Sequence, residues 1–237
     1  MDETGITNVH KPGKIIATKG KRQVSKITSG ERGATVTVVC AMSASGTYAP
    51  PLFIYPRKRM TDRMAVGAPS GSIIRVISSG WTDSSLFIER LTHFVAVTHA
   101  SKTNEQLIVL DGHHSHKTLE AINFCRDNGI HLITLPPHCT HKMQPLDRTF
   151  FKPLKVGYNT AASNWMLSHQ GGRISFFDMA GIFAIAYNFT ANVDKAINGF
   201  RCSGLYPIND FIFNEAALLT NEADLKQLCS FSLMKRL

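Results

Sequence analysis

At 237 residues and 43% apolar content, the chain has material for one ordinary domain, or two small ones, with a real core. No apolar run approaches the roughly 18 residues of a membrane span and no charged-then-apolar leader opens the chain, so neither a membrane partner nor secretion is expected and the protein is placed inside the cell. The net charge of +9 sits in two places: seven basic residues between His10 and Arg32 face only Glu31, Arg57, Lys58, Arg59 and Arg63 face only Asp62, and the remainder balances. A positive field focused in this way suits a polyanion such as a phosphate backbone, although a charge run is more often only a solvated face.

In chain order, the β-branched run from Ala34 to Ser43 (ATVTVVCAMS) predicts a strand, and Ala44, Ser45 and Gly46 a turn into a second strand, TYAPPLFIY. Pro50 and Pro51 cannot donate to a ladder, so this second strand is expected at a sheet edge or broken by a bulge, with the edge preferred. Ile73 to Ile77 is a short apolar run. Thr82 or Asp83 caps a helix whose Leu86, Phe87, Arg90, Leu91, Phe94 and Val95 recur at helical spacing. Gln106 to Leu110, a helix from Lys117 to Asn128 ended by Gly129, and Ile130 to Leu135 form a β-α-β unit with parallel strands. Beyond Asp147 the pattern is helical, to about Ser168, from Ser175 to about Phe189, and near Val193 to Phe200. A hairpin, a parallel unit and then helices predict an α/β fold with a mixed sheet flanked by helices, in a single domain over 1–237. The five cysteines have no redox or zinc-knuckle spacing and read as idle or buried thiols.

Open α/β sheets place ligands at strand ends, and Asp111 follows the strand QLIVL directly in LDGHHSH. His113, His114 and His116 make a metal site conceivable without fixing its ligands. Asp147 stands in QPLD at a helix start, where a carboxylate can serve only as a cap. Asp2 and Glu3 in MDETGI would ordinarily be a frayed end.

Taken together, and in this order, these motifs resemble the DDE superfamily of transposase endonucleases, in particular the pogo, Tigger and jerky-like branch of the Tc1/mariner group. SGERG at Ser29 to Gly33, SGWTD at Ser79 to Asp83, FFKPLK at Phe150 to Lys155 and GFRCSGLYPIN at Gly199 to Asn209 extend the resemblance over nearly the whole chain, and thirty-five residues separate Asp111 from Asp147. The resemblance implies a ribonuclease H-like fold in which Asp2, Asp111 and Asp147 are catalytic and hold two Mg²⁺ (or Mn²⁺) ions, with His113 and His116 as auxiliary groups. Hard ions take carboxylate and phosphate oxygens, and two of them activate a nucleophile and stabilise a leaving oxygen in DNA cleavage and strand transfer. DNA in the nucleus is then the partner, contacted by Lys19, Lys21, Arg22, Lys26, Arg57, Lys58 and Arg59, with a homodimer as a candidate assembly.

Two departures accompany the resemblance. The family places its first acidic residue at the end of a central first strand, whereas only Met1 precedes Asp2, so that strand is expected to be missing and activity to suffer. The family's N-terminal helix-turn-helix DNA-binding region is also absent from the sequence. The alternative reading is a non-catalytic, domesticated or decayed DNA-binding or chromatin protein; a metallohydrolase using the histidine cluster would need a closed pocket. If the first basic stretch contacts phosphates, replacing Lys19, Lys21 and Arg22 with Ala weakens binding to all DNA sequences alike and lowers the salt slope by about 0.9 per lost contact, read by fluorescence anisotropy over a salt series.

Overall fold

The β-branched and alternating segments form strands where the pattern asks for them. The computed structural model describes residues 1–9, 19, 33–113, 116–136 and 139–213. Six strands are found there: β1 (Asp2–Thr7), β2 (Thr35–Met42), β3 (Tyr48–Tyr55), β4 (Ile73–Val76), β5 (Gln106–Leu110) and β6 (Ile130–Thr134). Seven α-helices accompany them: α1 (Ser84–Thr98), α2 (Leu119–Asp127), α3 (Thr140–Met143), α4 (Pro145–Thr149), α5 (Phe151–Ser168), α6 (Phe176–Thr190) and α7 (Val193–Cys202). β1 to β3 pair antiparallel in sequence, β4 adds parallel to β3, and β5 pairs parallel with β6. The mixed α/β architecture, the hairpin and the parallel β-α-β unit are as the sequence predicts. Helix starts follow capping chemistry: Asp83 accepts from Leu86 N, Thr118 from Ala121 N, and Ser175 forms a capping box with Asp178.

Two expectations change. The strand containing Pro50 and Pro51 is not an edge, because β3 lies between β2 and β4. The prolines are accommodated by the other device, a bulge: the β2–β3 register shifts between Val39 and Ala41, opposite them, and β4 pairs only from Leu52 onward. The Pro50 carbonyl accepts from Arg90 Nη1 at 2.7 Å. The second change concerns the start. Residues Asp2–Thr7 are not a bare end but a strand, pairing with β2 from Asp2↔Cys40 to Thr7↔Thr35. β1–β4 and β5–β6 form separate sheets. Across the seam, the Met1 backbone nitrogen donates to the Val109 carbonyl at 3.0 Å.

Helices cover both sides. On one, Ile6, Val36, Val38, Phe53 and Tyr55 pack against Phe150, Leu154, Tyr158, Met179 and Phe183 from α4 to α6. On the other, Val39, Leu52 and Ile54 meet Leu86, and Ile108 and Leu110 meet Phe87, Leu91, Ala121 and Cys125 from α1 and α2. Of the cysteines, Cys40 and Cys125 are buried free thiols and Cys139 and Cys202 are partly buried free thiols; Cys229 lies outside the described residues.

α4 is held against α7 at close range. A Cβ on Gly199 would stand 2.6 Å from Met42 Cε, 2.8 Å from Thr149 Oγ1 and 2.9 Å from the Pro145 carbonyl. The backbone contact cannot yield as a side chain can. Gly199→Ala is expected to destabilise the protein by about 1–3 kcal/mol through overpacking, measured by urea unfolding; an unchanged midpoint would show that α4 and α7 can separate freely.

Candidate active site at the sheet seam

Alternation along β1 turns Asp2, Thr4 and Ile6 to one face, and Ile6 lies in the core beneath α4 to α6. Asp2 therefore looks toward the helices, at the end of the strand that borders β5. Asp111 follows β5 directly, and Asp147 occupies the first turn of α4. The fields of both carboxylates reach Asp2. Burial first, then the negative charges of Asp147 and Asp111, push its pKa up to about 7, against a lowering hydrogen bond from the Glu3 amide to Asp2 Oδ1 at 2.8 Å.

Asp111 behaves in the opposite way. His116 beside it, and the His113 amide at 3.3 Å, hold it below the usual carboxylate value in spite of partial burial. His116 is only 8% exposed, its Nδ1 lies 2.9 Å from Asp111 Oδ1, and its ring packs 4.5 Å from that of Phe87. The contact is close but falls outside the angles of a well-formed hydrogen bond. His113 is exposed, with its ring 5.7 Å from that of His116. Asp147 is not the N-cap of α4, which is Gln144, and its carboxylate accepts no hydrogen bond among the described residues. Burial raises its pKa while Lys155 and His141 oppose the rise.

Among the described residues, no group of three or more His, Cys, Asp or Glu side chains is drawn together for a metal ion. The donor chemistry nevertheless fits a hard divalent cation. The three acids offer only oxygens, and Asp2, which burial first and the charges of Asp147 and Asp111 second make reluctant to ionise, is a carboxylate that a bound cation would favour in its ionised form. Mg²⁺ commonly takes few carboxylates and completes its shell with water and phosphate.

The sequence-predicted phosphate contacts divide. Lys21, Arg22 and Lys26 lie outside the described residues, and Lys19 is exposed. Arg57, Lys58 and Arg59 are exposed in the segment after β3, where Arg57 lies 5.5 Å over the Phe176 ring and Arg63 lies 4.6 Å over that of Phe177. Two polar residues near the seam were not singled out as functional in the sequence. Arg90, on the apolar face of α1, is 1% exposed, and its Nε and Nη2 have no partner. Gln144 is equally buried. The signal for Arg90 was a charge at helical spacing among Leu86, Phe87 and Leu91; Gln144 gave none.

The sequence pattern of the family described as DDE superfamily endonuclease matches residues 32–203. Among similar curated proteins is the "MFS-type transporter clz9" of Cochliobolus lunatus, 27% identical over 190 residues, covering 79% of this chain and 21% of that protein. Another is the "Pogo transposable element with KRAB domain" of Homo sapiens, 27% identical over 169 residues, covering 70% of this chain and 27% of that protein. The chain thus spans about a quarter of the length of these relatives. Among solved structures it is similar to the Mos1 strand transfer complex, with TM-score 0.48 and 12% identity over 83% of this chain and 52% of that one. The Mos1 transposase paired-end complex with the left transposon end gives TM-score 0.46 and 12% identity over 83% and 53%. No helix among the described residues is long and apolar enough to cross a membrane.

The raised Asp2 pKa carries a consequence for stability. The folded chain keeps this proton to about pH 7, whereas the value for an unperturbed aspartate is 3.8. Its stabilising contribution is full below pH 3.8 and is lost as the pH rises through 7. In EDTA, Asp2→Asn should therefore gain stability relative to the wild type as the pH climbs across that window. Parallel unfolding curves for the two proteins over the same range would refute the burial of Asp2.

Proposed function

Because the chain belongs to the DDE superfamily endonucleases, we propose that it is a transposase-derived domain that cleaves DNA phosphodiesters with a divalent metal and joins strands by the same chemistry. What supports this reading is the placement of Asp2 at the start of β1, whose Met1 nitrogen bonds to Val109 of β5, of Asp111 directly after β5, and of Asp147 in the first turn of α4, whose Gln144 bonds to the Met1 carbonyl. Asp2, Asp111 and Asp147 would hold Mg²⁺ or Mn²⁺, with two ions in the full reaction. When bound, the metal supplies activation of a water or 3′-hydroxyl and stabilisation of the leaving oxygen.

The chain's own residues prepare that chemistry. His116 and the His113 amide keep Asp111 ionised, so this carboxylate is ready to accept a cation. Asp2 would give up its proton on holding a cation, so metal binding is expected to strengthen as the pH rises toward about 7. Arg57, Lys58 and Arg59, together with Lys19, Lys21, Arg22 and Lys26, supply phosphate contacts that position a duplex without reading its sequence. The setting of such a reaction is nuclear DNA.

A second reading, a non-catalytic DNA-binding descendant, is favoured by one observation: no three-ligand group is drawn together among the described residues. Nicking of supercoiled plasmid separates the two. The wild-type chain should relax plasmid in Mn²⁺ or Mg²⁺, and Asp111→Asn or Asp147→Asn should slow this by on the order of 100-fold or more, since each removes a metal-supporting group. DNA binding without nicking in either metal would leave the non-catalytic reading.

A further inference from the structure

Gln144 is the N-cap residue of α4, yet its side chain makes no capping bond. It is 1% exposed, and its Nε2 donates to the Met1 carbonyl at 2.8 Å, across 143 residues of sequence. A carbonyl can only accept, so the orientation of the amide is fixed: nitrogen toward Met1, oxygen away from it. The Oε1 so directed is buried and has no hydrogen-bond partner among the described residues. An orphaned acceptor is costly, and folded proteins seldom keep one without a use.

Its location suggests the use. The Met1 carbonyl belongs to the peptide that leads into Asp2, and Gln144 stands three residues before Asp147 in QPLD. One side chain therefore ties the start of β1 to the start of α4, the two elements that carry these carboxylates. The remaining anchors of this corner are backbone or hydroxyl contacts: Met1 N to the Val109 carbonyl at 3.0 Å and Thr149 Oγ1 to the Lys195 carbonyl at 2.7 Å. Neither of these joins β1 directly to α4.

We propose that Gln144 is a positioning residue of the acidic site: its Nε2, held on the Met1 carbonyl, sets the separation of Asp2 from Asp147, and the unpaired Oε1 is the cost of that tether. This inference rests on the metal-dependent reading above. It accounts for a glutamine in place of its neighbours in chemistry. Glutamate would have no N–H to give Met1, asparagine would fall short by a methylene, and leucine would fill the space without the tether.

The test measures Mn²⁺ affinity of the full chain by titration calorimetry alongside thermal unfolding in EDTA. Gln144→Leu removes the orphaned oxygen, so the unfolding temperature should hold close to wild type while Mn²⁺ binding weakens 10- to 100-fold, the usual cost of losing a group that supports metal ligands. Gln144→Asn keeps both polar groups but shortens their reach and should show the same loss, which keeps the test decisive should the leucine variant not fold. Wild-type affinity in either folded variant, or a loss of affinity no larger than the loss of stability accounts for, overturns the role of Gln144. Asp147→Asn tests the underlying reading separately. If it leaves Mn²⁺ binding intact, or if the wild type binds none, the acidic site itself is wrong; if it weakens binding and Gln144→Leu does not, only Gln144 is.

Discussion

The antiparallel ladder between β1 and β2 is the constraint on which the acidic site depends. Six consecutive pairs, from Asp2↔Cys40 to Thr7↔Thr35, fix which face each β1 side chain occupies. A slip of one residue would exchange Asp2, Thr4 and Ile6 for Glu3, Gly5 and Thr7 on the helical side. Burial of Ile6 and Thr4 opposes that slip. Asp2 is thereby held in a partly dehydrated place near two other acids, where its free choice would be water. The stability of the apolar residues beneath it maintains an arrangement that electrostatics alone disfavours.

The same balance recurs on the far side of the sheet. Pro50 and Pro51 interrupt the ladder, standing as a bulge in β3 with two residues against Cys40 of β2, and the Pro50 carbonyl finds its partner in a guanidinium buried on α1. Dehydration lowers the Arg90 pKa to about 10, still well above neutrality, so a full positive charge sits inside the protein. Its Nη1 also lies 2.9 Å from His93 Nδ1. One buried charge thus satisfies backbone freed by the bulge and joins α1 to the strand it covers.

Much of this was legible in the sequence because the signals were local. The β-branched run before Met42, the Asp83 and Ser175 caps, and the apolar strand preceding Asp111 each declare their element within a few residues. The DGHHSH and QPLD motifs, both within the residues that match the family, carry the likeness for the same reason. What could not be read is what depends on pairing. Proline predicts either an edge or a bulge, and only the arrival of β4 beside β3 decides between them. MDETGI has no pattern strong enough to announce a strand, and it becomes one because β2 offers a complementary edge. Gln144 resembles any polar residue at a helix start until Met1 is placed against it.

The long separations in the seam bear on how the protein comes into being. Met1 meets Val109 across 108 residues and Gln144 across 143. During synthesis, at about 5–20 residues per second, the first acid leaves the ribosome well before the segments that must surround it. β1 and β2 can pair early, but the corner closes only once α4 has emerged and docked. Asp2 and Asp147 are therefore held apart until α4 has emerged, and the corner takes shape only as that helix docks against the strand made long before it.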